Sequence, residues 1–103
     1  MSTDDEILES FFGSVFHQDW CDDFDSSDAV VAQFFRDHPD EKELAAIVRA
    51  LRKLIATDTD EKTMLARLYE LGCYLYPPGL GLTARAWLTD VAERFDRELS
   101  RRS

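Results

Sequence analysis

The chain of 103 residues is 45% apolar and 32% charged, with 4 Gly, 3 Pro and 2 Cys, the profile of one ordinary globular domain spanning residues 1–103. The apolar content excludes disorder. No charge-free stretch approaches the roughly 18 to 20 apolar residues of a membrane span, and a core of this size is tight for a large cofactor. Its 21 acids against 12 bases give a net charge of −9, a field that repels nucleic acid and anionic lipid.

Apolar periodicity predicts a first helix from about Asp4 to Phe16, where Ile7, Leu8, Phe11, Phe12, Val15 and Phe16 recur as adjacent pairs four residues apart. Thr3 and Glu6 have the form of a capping box, and Asp4 and Asp5 suit the positive end of the helix dipole. His17 to Asp25 reads as an acidic connector. Asp25 or Ser26 then caps a second helix with Val30, Val31, Phe34 and Phe35 on its apolar stripe, and Pro39 stops it. The third helix is the most regular, with Leu44, Ile47, Val48, Leu51, Leu54 and Ile55 on one face and Lys42, Arg49, Arg52 and Lys53 on a solvated one.

Thr57 or Thr59 is the expected cap of a fourth helix bearing Met64, Leu65, Leu68 and Leu71, with Gly72 supplying a left-handed terminus or a close helix approach. Pro77, Pro78, Gly79 and Gly81 make the stretch from Gly72 to Leu82 a long ordered loop. Thr83 caps a fifth helix with Ala84, Trp87, Leu88, Val91, Phe95 and Leu99 inward and a basic tail at its end. No strand-like alternation and no internal repeat stand out. The expected fold is all-α, a single-domain bundle of about five amphipathic helices.

The charge is unevenly placed along this bundle. Nine acids (Asp4, Asp5, Glu6, Glu9, Asp19, Asp22, Asp23, Asp25 and Asp28) precede Arg36, the first base, and from there onward 12 acids face 12 bases. A basic partner is therefore expected at the N-terminal third. The start Met-Ser-Thr-Asp-Asp-Glu lacks the basic and apolar regions of a secretory signal, so a cytoplasmic chain is expected. Cys21 and Cys73 are then expected to be free thiols, with Cys73, beside Leu71 and Leu75, buried.

The densest run of reactive residue types, from Phe16 to Asp28, fails most tests for chemistry. Zinc needs three or four clustered ligands, whereas His38 and Cys73 lie in contexts unrelated to His17 and Cys21. A calcium loop starting at Asp23 would place Asp28 where Gly is needed and Phe34 where the closing Glu is needed. Two His residues offer no convincing base for a cysteine nucleophile, and Pro-Gly-Leu-Gly is no phosphate loop. No catalytic residue, metal, cofactor or small-molecule substrate is assigned.

What remains is a surface: Asp19, Asp22, Asp23, Asp25 and Asp28, interrupted by Trp20 and Phe24, an anionic and aromatic patch suited to a basic protein. The aspartates read equally as helix caps and solubilising charge, and Trp20 reads first as core. Glu9 and Asp5 are weaker additions on the first helix.

Phe11-Phe-Gly-Ser-Val-Phe-His-Gln-Asp-Trp20 and the acidic connector resemble the start of small helical immunity proteins of bacterial contact-dependent growth inhibition systems, the CdiI type. Leu71-Gly-Cys-Tyr-Leu-Tyr-Pro-Pro78 and Leu82-Thr-Ala-Arg-Ala-Trp-Leu88 resemble the family's Gly and Tyr-Pro stretch and its last helix, so the similarity spans roughly residues 8–95. Cys21 and the basic tail are departures from that pattern. The resemblance implies a cytoplasmic non-enzyme that binds and blocks the C-terminal toxin domain of a CdiA-type effector, many such toxins being nucleases. A nuclease presents a basic cleft to polyanions, which independently suits an inhibitor with an acidic N-terminal third. Two other classes stay open at this point: a helical adaptor for a partner peptide, and a small enzyme or metal-binding protein using His17, Asp19 and Cys21.

Overall fold

Each apolar stripe read along the sequence becomes the buried face of a helix. The computed structural model describes residues 4–16, 27–37, 40–57 and 59–102. Among the described residues it forms five α-helices, α1 (Asp4–Val15), α2 (Ser27–Asp37), α3 (Glu41–Ile55), α4 (Glu61–Glu70) and α5 (Ala84–Arg102), with one 3-10 turn at Pro77–Leu80 and no strand. The fold is all-α. None of the described helices is long and apolar enough to cross a membrane.

The helix ends follow from local chemistry. Asp40 caps α3 by accepting from the Lys42 amide at 2.9 Å, and Glu41 and Glu43 in the first turn suit the dipole, as do Arg52 and Lys53 in the last. The cap of α4 departs from expectation. Asp60, not Thr57 or Thr59, accepts from the Thr63 amide at 2.8 Å, and hydrogen bonding to Thr63 holds its carboxyl below its ordinary range. Thr57 instead donates its hydroxyl back to the Lys53 carbonyl at 3.2 Å, in the frayed end of α3. Asp outranks Thr as a cap, and its position immediately before Glu61 is the one that starts the helix.

Two charged residues cap helices other than their own. Glu61, the first residue of α4, accepts the Ala84 amide with both carboxylate oxygens at 2.9 and 2.8 Å, so it covers the start of α5 beside the expected cap Thr83, which accepts from Ala86 at 3.0 Å. Arg85, in the first turn of α5, donates to the carbonyls of Ile55, Thr57 and Thr59 beyond and at the end of α3. The guanidinium thus sits at the negative end of one helix and the carboxylate at the positive end of another.

α3 packs along α5 and α1, and α4 closes against α5. One continuous core results, centred on aromatic rings. Phe11 lies 5.0 Å from Phe34, 5.3 Å from Phe12 and 5.5 Å from Phe95, and Phe16 meets Trp87 edge-on at 5.2 Å. Such pairs contribute about 0.5–1.5 kcal/mol each beyond their area. α2 is tied to the far end of α5 by Arg102, which donates to the Phe35 carbonyl at 2.9 Å, so the basic tail is part of the helix and anchors another.

Gly72 supplies both roles read from sequence. Its φ of +88° lets the chain leave α4 through a left-handed residue, with the Gly72 amide on Tyr69 and the Cys73 amide on Leu68, both at 3.0 Å. It also faces Gly13 of α1: a β-carbon at Gly72 would stand 3.9 Å from that backbone. The Tyr74 amide then donates to the Phe16 carbonyl at 2.8 Å, fastening the loop to the end of α1.

Candidate functional site

The loop after Gly72 has an order that the hydropathy pattern did not advertise. Cys73, Leu75 and Pro77 point into the core, while Tyr74 and Tyr76 between them point out. This is the period of extended chain, here without a partner strand. Burial also settles Cys73, whose thiol is free, 3% exposed and pushed up to about 12 by desolvation. It is a core methyl-sized filler rather than a nucleophile.

Among the described residues the exposed large apolar side chains are Tyr69 at 65%, Tyr74 at 48%, Tyr76 at 64% and Leu82 at 37%, all within one stretch of fourteen residues. Tyr69 and Tyr74 meet edge to face with ring centroids 5.5 Å apart. α1 runs beside this stretch in the same direction, joined to it by Asp5 on Arg67 at 2.6 Å, by Gly13 against Gly72 and by Phe16 under Tyr74. Glu9, one turn after Asp5 and one before Gly13, falls on the same row of the helix and is exposed.

The acids of the N-terminal third are not all free to act on a partner. Asp4 pairs with Lys53 of α3 at 2.9 Å, Asp5 with Arg67 of α4 at 2.6 Å, and Asp28 with Arg94 of α5 at 2.8 Å. Folding therefore returns later bases onto early acids, which counting along the chain cannot foresee. Arg52 likewise reaches Asp96 of α5, so the basic face of α3 is partly an inter-helix seam rather than plain solvated charge.

Asp28 lies in the first turn of α2, beside a groove of about 190 Å³ whose walls include Phe35, Arg94, Arg97 and Arg101. Glu98 lines the same groove, so the bases around Asp28 are partly balanced by acid. The other residues singled out in sequence, Asp19, Asp22, Asp23 and Asp25 together with His17, Trp20, Cys21 and Phe24, lie outside the described residues. Among the described residues no group of three or more His, Cys, Asp or Glu is gathered as a metal site.

The family model described as CdiI immunity protein matches residues 5–95. The chain belongs to this immunity protein family. The match runs from the first turn of α1 to Phe95 in α5, so it reaches into each of the described helices and spans the Tyr-bearing loop, and it agrees with the resemblance carried by the Phe-His-Gln-Asp-Trp and Tyr-Pro-Pro runs. No curated protein and no solved structure matches the chain.

The tyrosines of this immunity protein are what reading the sequence for reactive types passed over. The sequence reading places Tyr74 and Tyr76 in a long ordered loop and assigns nothing to Tyr69. The available signal was alternation: Cys-Tyr-Leu-Tyr-Pro puts small or aliphatic residues at every second place and tyrosines between them.

Proposed function

We propose that the chain is a single-domain immunity protein that binds the cognate C-terminal toxin domain of a CdiA-type contact-dependent growth inhibition effector and neutralises it by covering its active site or substrate-binding cleft. The observation that carries this reading is the family match across residues 5–95. The action is stoichiometric and cytoplasmic, and the protein turns over no substrate.

The toxin is a nuclease on this reading. A nuclease cleft must attract polyanions, and an inhibitor with a net charge of −9 meets such a cleft with complementary sign, which speeds encounter and disfavours nucleic acid or membrane as partners. Asp19, Asp22, Asp23, Asp25 and Asp28 are the proposed toxin contacts. Of these, Asp28 already shares its charge with Arg94, which discounts its own electrostatic contribution.

The test is growth of cells producing the C-terminal domain of the effector encoded beside this gene, with and without the immunity protein. Rescue by the wild type and loss of rescue by a folded variant with Asp22, Asp23 and Asp25 all changed to Asn support both the function and the contact. Rescue by both proteins keeps the function and removes the contact from those three aspartates. No rescue by the wild type against a toxin that kills overturns the function.

A further inference from the structure

We propose that Tyr69, Tyr74 and Tyr76 form an aromatic anchor of the toxin-binding surface, on which arginine or lysine side chains of the cationic partner stack; the inference rests on the immunity reading and names its surface. These are three of the large apolar side chains most exposed among the described residues, and they are neighbours: Tyr69 contacts Tyr74 edge to face at 5.5 Å, and Tyr76 lies two residues further along an extended segment, on the same side. Exposed tyrosines scattered singly need no explanation, but a cluster held this way does.

The cluster is rigid before any partner arrives. Tyr69 stands on the last turn of α4, Gly72 turns the chain through its left-handed φ, the Tyr74 amide is fixed to Phe16, and Cys73, Leu75 and Pro77 are buried on the opposite side. Rings carried on a held backbone have only their own side-chain torsions to order on binding, and tyrosine offers wide amphipathic area with few rotatable bonds.

Charge selects the occupant. Between Leu68 and Ala84 the sequence holds Glu70 and no base, and the flanking face of α1 presents Asp5 and Glu9. Arg67, the base beside the cluster, is held between Asp5 at 2.6 Å and Glu70 at 3.5 Å, so the surface around the rings remains anionic. Phenol faces bordered by carboxylates attract guanidinium and ammonium groups through the ring quadrupole and the nearby charge. The loop that carries Tyr74 and Tyr76 is fastened to the end of α1 through the Tyr74 amide and the Phe16 carbonyl.

The experiment is calorimetric titration of the purified C-terminal domain of the neighbouring effector with the full-length protein, with Tyr69→Ala, Tyr74→Ala, Tyr76→Ala and the triple variant. Melting curves accompany each variant, and sedimentation of each free protein is measured. The expected result is a loss of about tenfold in affinity or more for at least one single variant and a larger loss for the triple, with every variant still folded and its melting temperature lowered only by the loss of the Tyr69–Tyr74 contact. Tyr74→Phe, which keeps the ring face, retains most of the affinity. Wild-type binding matched by the triple variant overturns the anchor while leaving immunity intact. Wild-type failure to bind overturns the immunity reading and the anchor with it. Self-association of the free protein that the triple variant abolishes, with toxin affinity unchanged, also overturns it and assigns the rings to a second copy.

Discussion

The amide of Tyr74 donates to the carbonyl of Phe16 at 2.8 Å, joining the loop that carries the exposed tyrosines to the residue at which α1 ends. That bond holds the tyrosine-bearing loop against the end of α1. It depends in turn on Gly72, whose left-handed φ lets the chain leave α4.

Gly72→Ala is expected to destabilise the protein by about 1–2 kcal/mol, the cost of placing a β-carbon on a left-handed residue. Space is not the cause, since the nearest backbone atoms of Gly13 stand 3.9 Å away. Denaturant unfolding checks this. Gly72→Asn, which tolerates a positive φ better, should cost less than Gly72→Ala, and a larger cost for Asn would point to a steric origin instead.

Trp87 is 1% exposed and its indole N–H has no hydrogen-bond partner among the described residues, while its ring stacks near Phe12 and meets Phe16 edge-on. Two opposed effects follow for Trp87→Phe: lost volume destabilises, and removal of an unpaired buried donor stabilises by about 1–3 kcal/mol. The variant is therefore expected to lie within about 2 kcal/mol of the wild type, against about 3–5 kcal/mol for Trp87→Ala. Chemical denaturation of the two variants separates these effects, and equal losses would show that the indole N–H costs nothing.

Glu98 accepts from Arg101 and Arg102, each at 2.6 Å, and these bonds hold its carboxyl below its ordinary 4.5. A lowered folded value means that the ionised form favours the folded state. The stabilisation is fully present above pH 4.5 and is lost as the pH falls through the folded value. Glu98→Gln should thus lose stability at neutral pH and show a shallower decline on acidification. Melting temperatures taken across that range report it, and parallel curves for the two proteins would count against the assignment.

Cys73 should resist a thiol reagent at pH 8 in the folded protein, since its thiol is both buried and pushed up to about 12. A Cys21→Ser background isolates the site. Labelling that appears only on adding denaturant is the expected pattern, and prompt labelling of the native protein would mean that the loop opens readily.

The helices were legible because each amphipathic stripe is local: Leu44 through Ile55 repeats at helical spacing, and Glu41–Ile55 is the helix found. The all-α class and the family resemblance followed from such runs and from the Phe-His-Gln-Asp-Trp and Tyr-Pro-Pro segments. The cap of α4 differs from the expected one because four cap-forming residue types, Thr57, Asp58, Thr59 and Asp60, crowd one short connection of the sequence, and the amide geometry at Thr63 is what selects Asp60.

The electrostatic surface was harder to read for a different reason. Lys53, Arg67 and Arg94 lie far along the chain from Asp4, Asp5 and Asp28, and no local pattern announces that folding will pair them. The pairs are exposed and contribute little stability, but they redistribute the charge a partner meets. The tyrosine surface was missed because its signal, alternation over five residues, is a strand signal in a chain that makes no strand among its described residues.

The most direct measurement is titration of the purified toxin domain's catalytic activity with this protein. Immunity by binding predicts inhibition that rises linearly and is complete near one equivalent, unchanged by longer incubation. Full toxin activity at a large excess of folded protein would contradict the account, and so would progressive inactivation by a small fraction of an equivalent, which would mark an enzyme.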